Sequence, residues 1–290
     1  MTDNATPAET TPAANPGIAE DLAFALELAA RADAISHARF RAADLVVSMK
    51  PDMTHVTDAD KAVEESIRES IAVNRASDSI YGEEFGTVGD SRRQWIIDPI
   101  DGTANFVRGV PVWTTLIALA IDGVPELDLT PVIQAKVDGV PVLGVVSAPA
   151  LGRRWWGADG FGAHTRDIDG SERSIRVSSV ANLADASVSL SGLDRFEKAG
   201  HLENYLELAR SVWRTRDYSD AWPYMMVAEG VVDVAGEFDL QPYDMAALFP
   251  IVAEAGGMLT AMDGESGPWH GSALATNGLL HDEVKSAFAA

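Results

Sequence analysis

Two aspartates three residues apart are the feature of this sequence that most directly suggests chemistry. Asp98 and Asp101 lie in the segment WIIDPIDGTANF, residues 95–106, which begins with an apolar run. Between them Pro99 fixes its own φ and has no N–H to donate, which favours a free Ile100 carbonyl as an oxygen ligand. Carboxylate and carbonyl oxygens suit a hard cation, and Mg²⁺ is the natural candidate because it prefers oxygen ligands. The segment therefore predicts a magnesium site.

The two residues after Asp101 add a site for an anion. Gly102 and Thr103 would place backbone N–H groups at a turn that opens a helix, an arrangement that binds phosphate. A metal and a phosphate would then lie side by side. An isolated Asp-x-x-Asp-Gly motif is more often a turn with solvated acids. The sequence also lacks EF-hand spacing, the Gly-Lys of a P-loop and the Gly-x-Ser-x-Gly of a nucleophile elbow.

A resemblance to a known family makes this chemistry more specific. Its motifs are Glu83-Glu84, the segment 95–106, YDMAA at 243–247 and EAGG at 254–257, in that order along the chain. Together they resemble the inositol monophosphatase-like superfamily of Mg²⁺-dependent, lithium-sensitive phosphatases, over roughly residues 20–285. Further segments are most similar to actinobacterial histidinol-phosphate phosphatases within that superfamily: FVRGVPVW at 106–113, SAPALGRRWW at 147–156 and ATNGLLHD at 275–282.

The resemblance implies a set of metal ligands. A first Mg²⁺ would be held by Glu83, Asp98 and the Ile100 carbonyl. A second would be held by Asp98, Asp101 and Asp244, and a third, looser ion would lie near Glu83. Because Asp244 is far from Asp101 in the sequence, only the fold can bring their carboxylates together. This convergence is a prediction that a structure can test.

The same resemblance implies how phosphate is bound and attacked. Gly102 and Thr103 would bind phosphate through backbone N–H groups, while the Thr103 hydroxyl and Glu83 orient the attacking water. Lys50 and Asp58 match family positions near that water. Lys50 fits a solvated lysine equally well, and Asp58 fits a first-turn acid favoured by the helix macrodipole. Bound Mg²⁺ would activate water for in-line attack, with a covalent aspartyl-phosphate as the alternative route.

Substrate selection is predicted to depend on acids beyond the metal ligands. Asp220 and Glu237 match substrate-lining positions of the family, and Asp101 and Asp244 would also face the substrate. Carboxylates there could bind the ammonium or imidazole of histidinol phosphate through charge-assisted hydrogen bonds, or the hydroxyls of a sugar or inositol. A helix N-cap is the alternative role for Asp220, and a surface acid is the alternative for Glu237.

These residues predict a phosphate monoester hydrolase with about two to three Mg²⁺ ions per site. The expected substrate is L-histidinol phosphate, in histidine biosynthesis. The nearest alternative is the same chemistry on inositol 1-phosphate or another sugar phosphate. A different class of function is a sensor that binds phosphorylated metabolites without hydrolysing them. The full set of predicted metal ligands argues against it. By resemblance we also expect a homodimer.

The elements that must position these residues alternate between helices and strands. A long helix is predicted from Ile18, and a second after Thr57, which forms a capping-box pattern with Asp60. Short apolar runs predict strands, so the class is layered α/β, and the resemblance implies the αβαβα sandwich of the inositol monophosphatase-like fold. The predicted strands are 79–81, 94–97, 114–121, 142–148, 231–235, 258–261 and 273–276. The later predicted helices are 202–212, 224–229, 244–255 and 280–288.

The chain is predicted to form one catalytic unit, 18–290, after a disordered extension, 1–17, rich in Pro, Thr and Ala. Its two pseudo-domains would be a metal- and phosphate-binding half, about 18–175, and a half for the substrate and second metal, about 176–290. The tetrapeptide Asp-Gly-Val-Pro occurs twice and brackets a predicted hairpin-like insertion near 124–140.

Composition excludes several classes of function. The 290 residues contain 22 Lys+Arg and 44 Asp+Glu, a net charge of −22, which argues against binding nucleic acid or an anionic membrane. With no cysteine, disulfides, thiolate catalysis and Cys-based metal sites are excluded, and a cytoplasmic location fits. The longest apolar run, residues 116–121, is far short of the roughly 20 residues that cross a bilayer.

Overall fold

Two β-sheets organise the chain in the computed structural model, which describes residues 16–51, 53–121 and 139–288. The first sheet runs, in spatial order, β10 (Glu172–Ser174), β9 (Gly162–Arg166), β8 (Arg153–Ala158), β7 (Val140–Ala148), β6 (Thr114–Ile121), β5 (Arg93–Asp101), β3 (Ser79–Gly82) and β4 (Gly86–Val88). The second runs β12 (Arg214–Thr215), β11 (Ser187–Leu190), β13 (Val234–Phe238), β15 (Ser272–Thr276) and β14 (Met258–Thr260). A separate ribbon pairs β1 (Val47–Met49) with β2 (His55–Thr57).

Helices form three layers around these sheets. The outer face of the first sheet packs against α1 (Pro16–Arg39) and α2 (Asp58–Asn74). Between the sheets lie α6 (Trp222–Ala228) and α8 (Leu248–Glu254). The far face of the second sheet is covered by α4 (Leu193–Lys198), α5 (Leu202–Ser211) and α9 (His281–Ala287). The short helices α3 (Thr103–Arg108) and α7 (Pro242–Met245) belong to the loops beside the cavity. The predicted αβαβα sandwich is therefore confirmed.

The strands at the centre of the first sheet are apolar on both faces because both faces are covered. In β5, Trp95 and Ile97 pack under α1 and α2, whereas Ile96 faces the layer between the sheets. The predicted cap of α2 is also present, since Thr57 accepts from Asp60 N–H and Asp60 accepts from Thr57 N–H. Sheet and helix together fix the backbone on either side of the carboxylate motif.

Two glycines let α8 lie directly on the first sheet. A Cβ on Gly144, in β7, would come within 2.0 Å of the Ala247 carbonyl oxygen. A Cβ on Gly157, in β8, would come within 2.8 Å of Ile251 Cα. Neither neighbour is a flexible side chain, so the helix can approach this closely only because both side chains are absent.

Several predicted boundaries differ from the structure. The predicted helix 244–255 is two helices, α7 and α8, and the predicted strand 231–235 is β13, which begins at Val234. The helix α1 begins at Pro16, two residues inside the predicted extension, whose residues 1–15 lie outside the described part. Apart from its last two positions, the predicted insertion near 124–140 also lies outside it.

The division into halves near residue 175 stays a prediction, although the first sheet's strands precede that residue and the second sheet's follow it. Among the helices that the structure describes, none combines the length and apolar composition needed to span a bilayer.

Candidate active site

A cavity of about 790 Å³ lies between loops that follow strands of both sheets. One wall comes from the end of β5 and the start of α3, and the other from α6, β13 and α7. The ribbon of β1 and β2 contributes Lys50 at the rim. Asp98, Asp101, Asp220 and Asp244 all line this space.

Three aspartates form a cluster at one end of the cavity. One carboxylate oxygen each of Asp98, Asp101 and Asp244 lies within 4.8 Å of the others. Residues three apart on a regular strand would point to opposite faces, but the pairing of β5 with β6 shifts register between Asp98 and Asp101. This bulge contains Pro99, which cannot donate to the ladder. The structure thus brings Asp244 to Asp98 and Asp101.

The cluster holds more negative charge than its surroundings balance. Burial raises the pKa of Asp98 and Asp101 well above the ordinary range, aided by repulsion from Glu83 on Asp98 and from Asp220 on Asp101, and burial raises the pKa of Asp244 to about 7. Asp98 Oδ1 is buried without a hydrogen-bond partner among the described atoms. A buried acceptor between neighbouring carboxylates fits a hard divalent cation, which would favour the charged forms.

Glu83 and Lys50 flank this cluster. Glu83 lies beside Asp98, and burial raises the pKa of Glu83. Lys50 Nζ lies 2.7 Å from Oε1 of Glu83 and 2.7 Å from Oε1 of Glu84. Despite burial, these two carboxylates raise the pKa of Lys50. Lys50 is therefore a charged partner of both glutamates and not the solvated lysine of the alternative interpretation.

The start of α3 carries the predicted phosphate-binding residues. Gly102 has φ +83°, and a Cβ there would come within 2.8 Å of Asp220 Oδ2, so the position requires glycine. Thr103 Oγ1 lies 3.0 Å from the Ile100 carbonyl oxygen and 3.2 Å from Asp60 Oδ1. Both Gly102 and Thr103 line the cavity beside the aspartates.

The acid next to Thr103 is Asp60, whereas the predicted Asp58 has its partners elsewhere. Asp58 does not line the cavity; its carboxylate accepts from Arg39, at 2.7 Å, and from the Val46 N–H. Residues two apart in a helix point in nearly opposite directions, so only one of the two acids can face Thr103. The capping box is the sequence pattern that could have identified Asp60, because it turns this side chain back toward the start of the helix.

Two further acids on the cavity wall, Asp220 and Glu237, already have donors. Asp220 Oδ2 accepts from Asn105 Nδ2 and from Ser219 Oγ, each at 2.7 Å, and Asp220 is not the N-cap of α6. Glu237 is buried and paired with Arg195. Burial raises the pKa of Glu237 to about 8, while Arg195 opposes the shift. Glu237 is thus not the surface acid of the alternative interpretation.

A backbone contact joins the two sheets at the site. Asp101 Oδ2 accepts from the Ala221 N–H at 2.8 Å, at the start of α6. Sequence reasoning did not identify Arg195 or Tyr224, which also line the cavity. Neither belongs to a local motif, because long-range packing alone brings both to the site.

Comparisons with known proteins agree with this geometry. The sequence profile of the inositol monophosphatase family matches residues 18–129 and 132–289. The chain is 52% identical to the histidinol-phosphatase of Streptomyces coelicolor, covering 93% of this chain and 97% of that protein. It is 51% identical to the histidinol-phosphatase of Mycobacterium tuberculosis, covering 91% and 96%.

The solved inositol monophosphatase of Anabaena (Nostoc) sp. PCC 7120 superposes with a TM-score of 0.74 at 29% identity, covering 93% of this chain and 96% of that one. The resemblances predicted from the sequence, to the superfamily and to histidinol-phosphate phosphatases, are confirmed. The chain belongs to the inositol monophosphatase family.

Proposed function

We propose that this protein hydrolyses L-histidinol phosphate to L-histidinol and inorganic phosphate, with Mg²⁺ as its cofactor. The observation that carries the proposal is the like-charged cluster of Asp98, which is buried, with the partly buried Asp101 and Asp244, in a cavity lined by further acids. The names of the relatives that are 51% and 52% identical support the substrate. An ester that is anionic at one end and cationic at the other matches this distribution of charge.

Asp98, Asp101 and Asp244 would hold magnesium, with Glu83 and the Ile100 carbonyl as further oxygen ligands. When bound there, magnesium would neutralise the phosphate and lower the pKa of a coordinated water. Lys50 keeps Glu83 charged and in place, through the ion pair described above. About two to three ions per site remain part of this proposal.

Thr103 and Asp60 position the attacking water in this proposal. The Thr103 hydroxyl proton is directed to Asp60 or to the Ile100 carbonyl, which leaves a lone pair of Oγ1 to accept from water. Glu83, the acid beside Asp98, can take a proton from that water. The backbone N–H groups of Gly102 and Thr103 would bind phosphate oxygens next to this pair.

Asp220 and Glu237 would bind the cationic half of the ester. Both acids line the cavity, Glu237 buried and Asp220 partly buried, and each is held in place by a side-chain donor. Their carboxylates can form charge-assisted hydrogen bonds to an ammonium or imidazolium group. Asp101, held by the Ala221 N–H, lies between these acids and the rest of the metal cluster.

The test compares kcat/KM for L-histidinol phosphate and for myo-inositol 1-phosphate with Mg²⁺ present. We expect a preference of at least about tenfold for the first ester, because only it offers a cation to the acidic wall. A tenfold preference for the inositol ester would overturn the substrate. Release of no phosphate from either ester would overturn the enzymatic activity and favour a sensor.

Three finer expectations belong to the same proposal: a place in histidine biosynthesis, a cytoplasmic location and a homodimer. Sedimentation of the purified protein tests the last of these directly, since a dimer has twice the mass of the 30.9 kDa chain.

A further inference from the structure

The side-chain amide of Asn105 joins the predicted phosphate-binding turn to an acid on the cavity wall. Asn105 lies in α3, the helix that begins after Gly102, and its Nδ2 donates to Asp220 Oδ2 at 2.7 Å. The same nitrogen has a longer contact, 3.4 Å, with Ser219 Oγ. Because Asn105 and Asp220 are 115 positions apart in the sequence, this hydrogen bond connects the loop after β5 with the loop before α6.

The carboxylate of Asp220 is held by one of its two oxygens. Both side-chain donors, Asn105 Nδ2 and Ser219 Oγ, bind Oδ2 at 2.7 Å. Oδ1 accepts no hydrogen bond from the described residues, and it is not one of the fully buried side-chain atoms that lack a partner. This oxygen is therefore accessible, on a residue that lines the cavity. A fixed carboxylate with one accessible oxygen is a preformed acceptor for a donor on a ligand.

The backbone that carries Asp220 has an uncommon conformation. Ser219 and Asp220 have φ angles of 70° and 49°, both in the left-handed region that residues other than glycine seldom adopt. Such a conformation persists only where surrounding contacts stabilise it, and it is frequent at functional sites. Within the loop, Asp217 accepts from the Ser219 N–H at 3.0 Å. Among the described residues, Asn105 is the only one outside this loop that donates to the Asp220 side chain.

The helix α3 does not need the side chain of Asn105. Its C-terminal end is closed by backbone hydrogen bonds, because the N–H groups of Gly109 and Val110 both donate to the Asn105 carbonyl. Asparagine is also a weaker helix former than alanine or leucine. Helix formation therefore does not explain an amide at this position, whereas the hydrogen bond to Asp220 does.

We propose that Asn105 is a positioning residue for substrate selection: by binding Asp220 Oδ2, its amide keeps Oδ1 in place for the cationic group of the substrate. The Asp220 carboxylate lies directly against the phosphate-binding turn, since a Cβ on Gly102 would come within 2.8 Å of Oδ2. Asn105 thus fixes the separation between the bound phosphate and the acid that receives the cation. The inference rests on the proposed function, which gives Asp220 its role.

A double-mutant cycle tests this role. Asn105→Leu keeps the branched shape of the side chain but has no donor, and it is combined with Asp220→Asn. With L-histidinol phosphate, each single variant should raise KM by about tenfold, and the double variant should stay within about twofold of either, because all three lose the same contact. Inhibition by inorganic phosphate, which has no cationic group, should change by less than about twofold in every variant.

Two outcomes would overturn the proposal. Additive increases of KM in the double variant would show that Asn105 does not act through Asp220, and equally weakened inhibition by phosphate would show general damage to α3. Asn105→Ala is the second variant to carry through the same cycle, in case leucine packs poorly. Asn204→Leu is the matched control: Asn204 donates to the Ala287 carbonyl at 2.7 Å in the outer helical layer, so its loss should lower Tm and leave KM unchanged.

The result can be separated from the fate of the proposed function. The preference of wild type between esters tests the substrate alone. If another ester proves to be the better substrate, the same cycle is run with that ester. Non-additive losses would then support the action of Asn105 through Asp220 on a different substrate group, whereas additive losses would overturn it whether or not the proposed function holds.

Discussion

The cavity is lined by two groups of acids whose carboxylates have different partners. In the first group, Asp98, Asp101 and Asp244 place carboxylate oxygens within 4.8 Å of one another, and Asp98 Oδ1 has no partner among the described atoms. In the second group, Asp220 accepts from two side chains and Glu237 pairs with Arg195. The first set of acids requires a cation from outside, whereas the second is already satisfied within the fold.

This difference shows which part of the site lowers the stability of the folded protein. Bringing like charges together in a buried place opposes folding unless a cation or protons neutralise them. The donors around Asp220 and Glu237 offset part of this cost. The cluster should therefore respond most strongly to metal and charge removal, while changes at Asp220 should depend on the identity of the substrate.

Asp98→Asn is the substitution expected to have the largest effect on activity. Asp98 is the most buried member of the cluster, so losing its charge should lower kcat by about a thousandfold. In chelator, however, the variant should unfold at a Tm at or above that of wild type, because repulsion is relieved. Asp194→Asn, at an exposed acid, serves as the control. Near-normal turnover of Asp98→Asn would contradict the assignment.

Asp60→Asn should lower kcat by about a hundredfold, because a neutral amide is a weaker acceptor than the Asp60 carboxylate for the Thr103 hydroxyl that positions the water. Asp58→Asn is the matched control two residues away and should stay within about twofold in kcat, since the Asp58 carboxylate binds Arg39 and the Val46 N–H and does not line the cavity. Steady-state rates at saturating substrate give both values. A larger loss of kcat in Asp58→Asn than in Asp60→Asn would instead support Asp58 as the acid near the attacking water.

Asp220→Asn should have a smaller, substrate-dependent effect. It removes one charge from the acidic wall but keeps the shape of the side chain, so KM for a cationic ester should rise by about tenfold. KM for a neutral polyol phosphate should change by less than about twofold. Measuring both esters with one enzyme preparation supplies the control. Equal changes would remove the cation-binding role of Asp220.

The smallest effect concerns stability and pH. Burial raises the pKa of Asp244 to about 7 and of Glu237 to about 8 in the folded protein, above their ordinary values of 3.8 and 4.5. The folded state thus binds protons that the unfolded state releases, so the free energy of unfolding should fall as pH rises from about 4 to about 8. Thermal scans in chelator should show Tm falling by a few degrees over this range.

Adding Mg²⁺ to the same thermal scans gives a second test. Because the ion competes with protons for the carboxylates, adding Mg²⁺ should raise Tm more at pH 8 than at pH 5. The pH 5 scan is the internal control. A Tm that is independent of pH in chelator, or a magnesium shift that is larger at pH 5, would contradict the description of the cluster as unbalanced.

The sequence predicts the site best where chemistry is local. The segment 95–106 contains Asp98 and Asp101 together, and the cap of α2 follows from the spacing of Thr57 and Asp60. The layered fold follows equally from the alternation of helical and strand patterns and from the family resemblance. In each case neighbouring residues in the sequence determine the feature.

The sequence did not predict features that depend on the direction of a side chain or on packing between distant segments. The choice between Asp58 and Asp60 depends on which way a side chain points in the first helical turn, which residue type alone does not determine. Arg195 and Tyr224 reach the cavity only after the second sheet has packed. The bulge in β5 that aligns Asp98 with Asp101 is likewise visible only in the pairing with β6.

The close packing of α8 on the first sheet has a consequence for the choice of cation. Ala247, which would collide with a side chain at position 144, follows Asp244 by three residues. The depth of this helix on β7 and β8 therefore governs how near Asp244 comes to Asp98. Mg²⁺ and the larger Ca²⁺ both take oxygen ligands and differ in the coordination distance that they require. The spacing of the oxygen ligands, on which a choice between these ions would depend, thus relies on two missing side chains behind the cavity as well as on the ligands themselves.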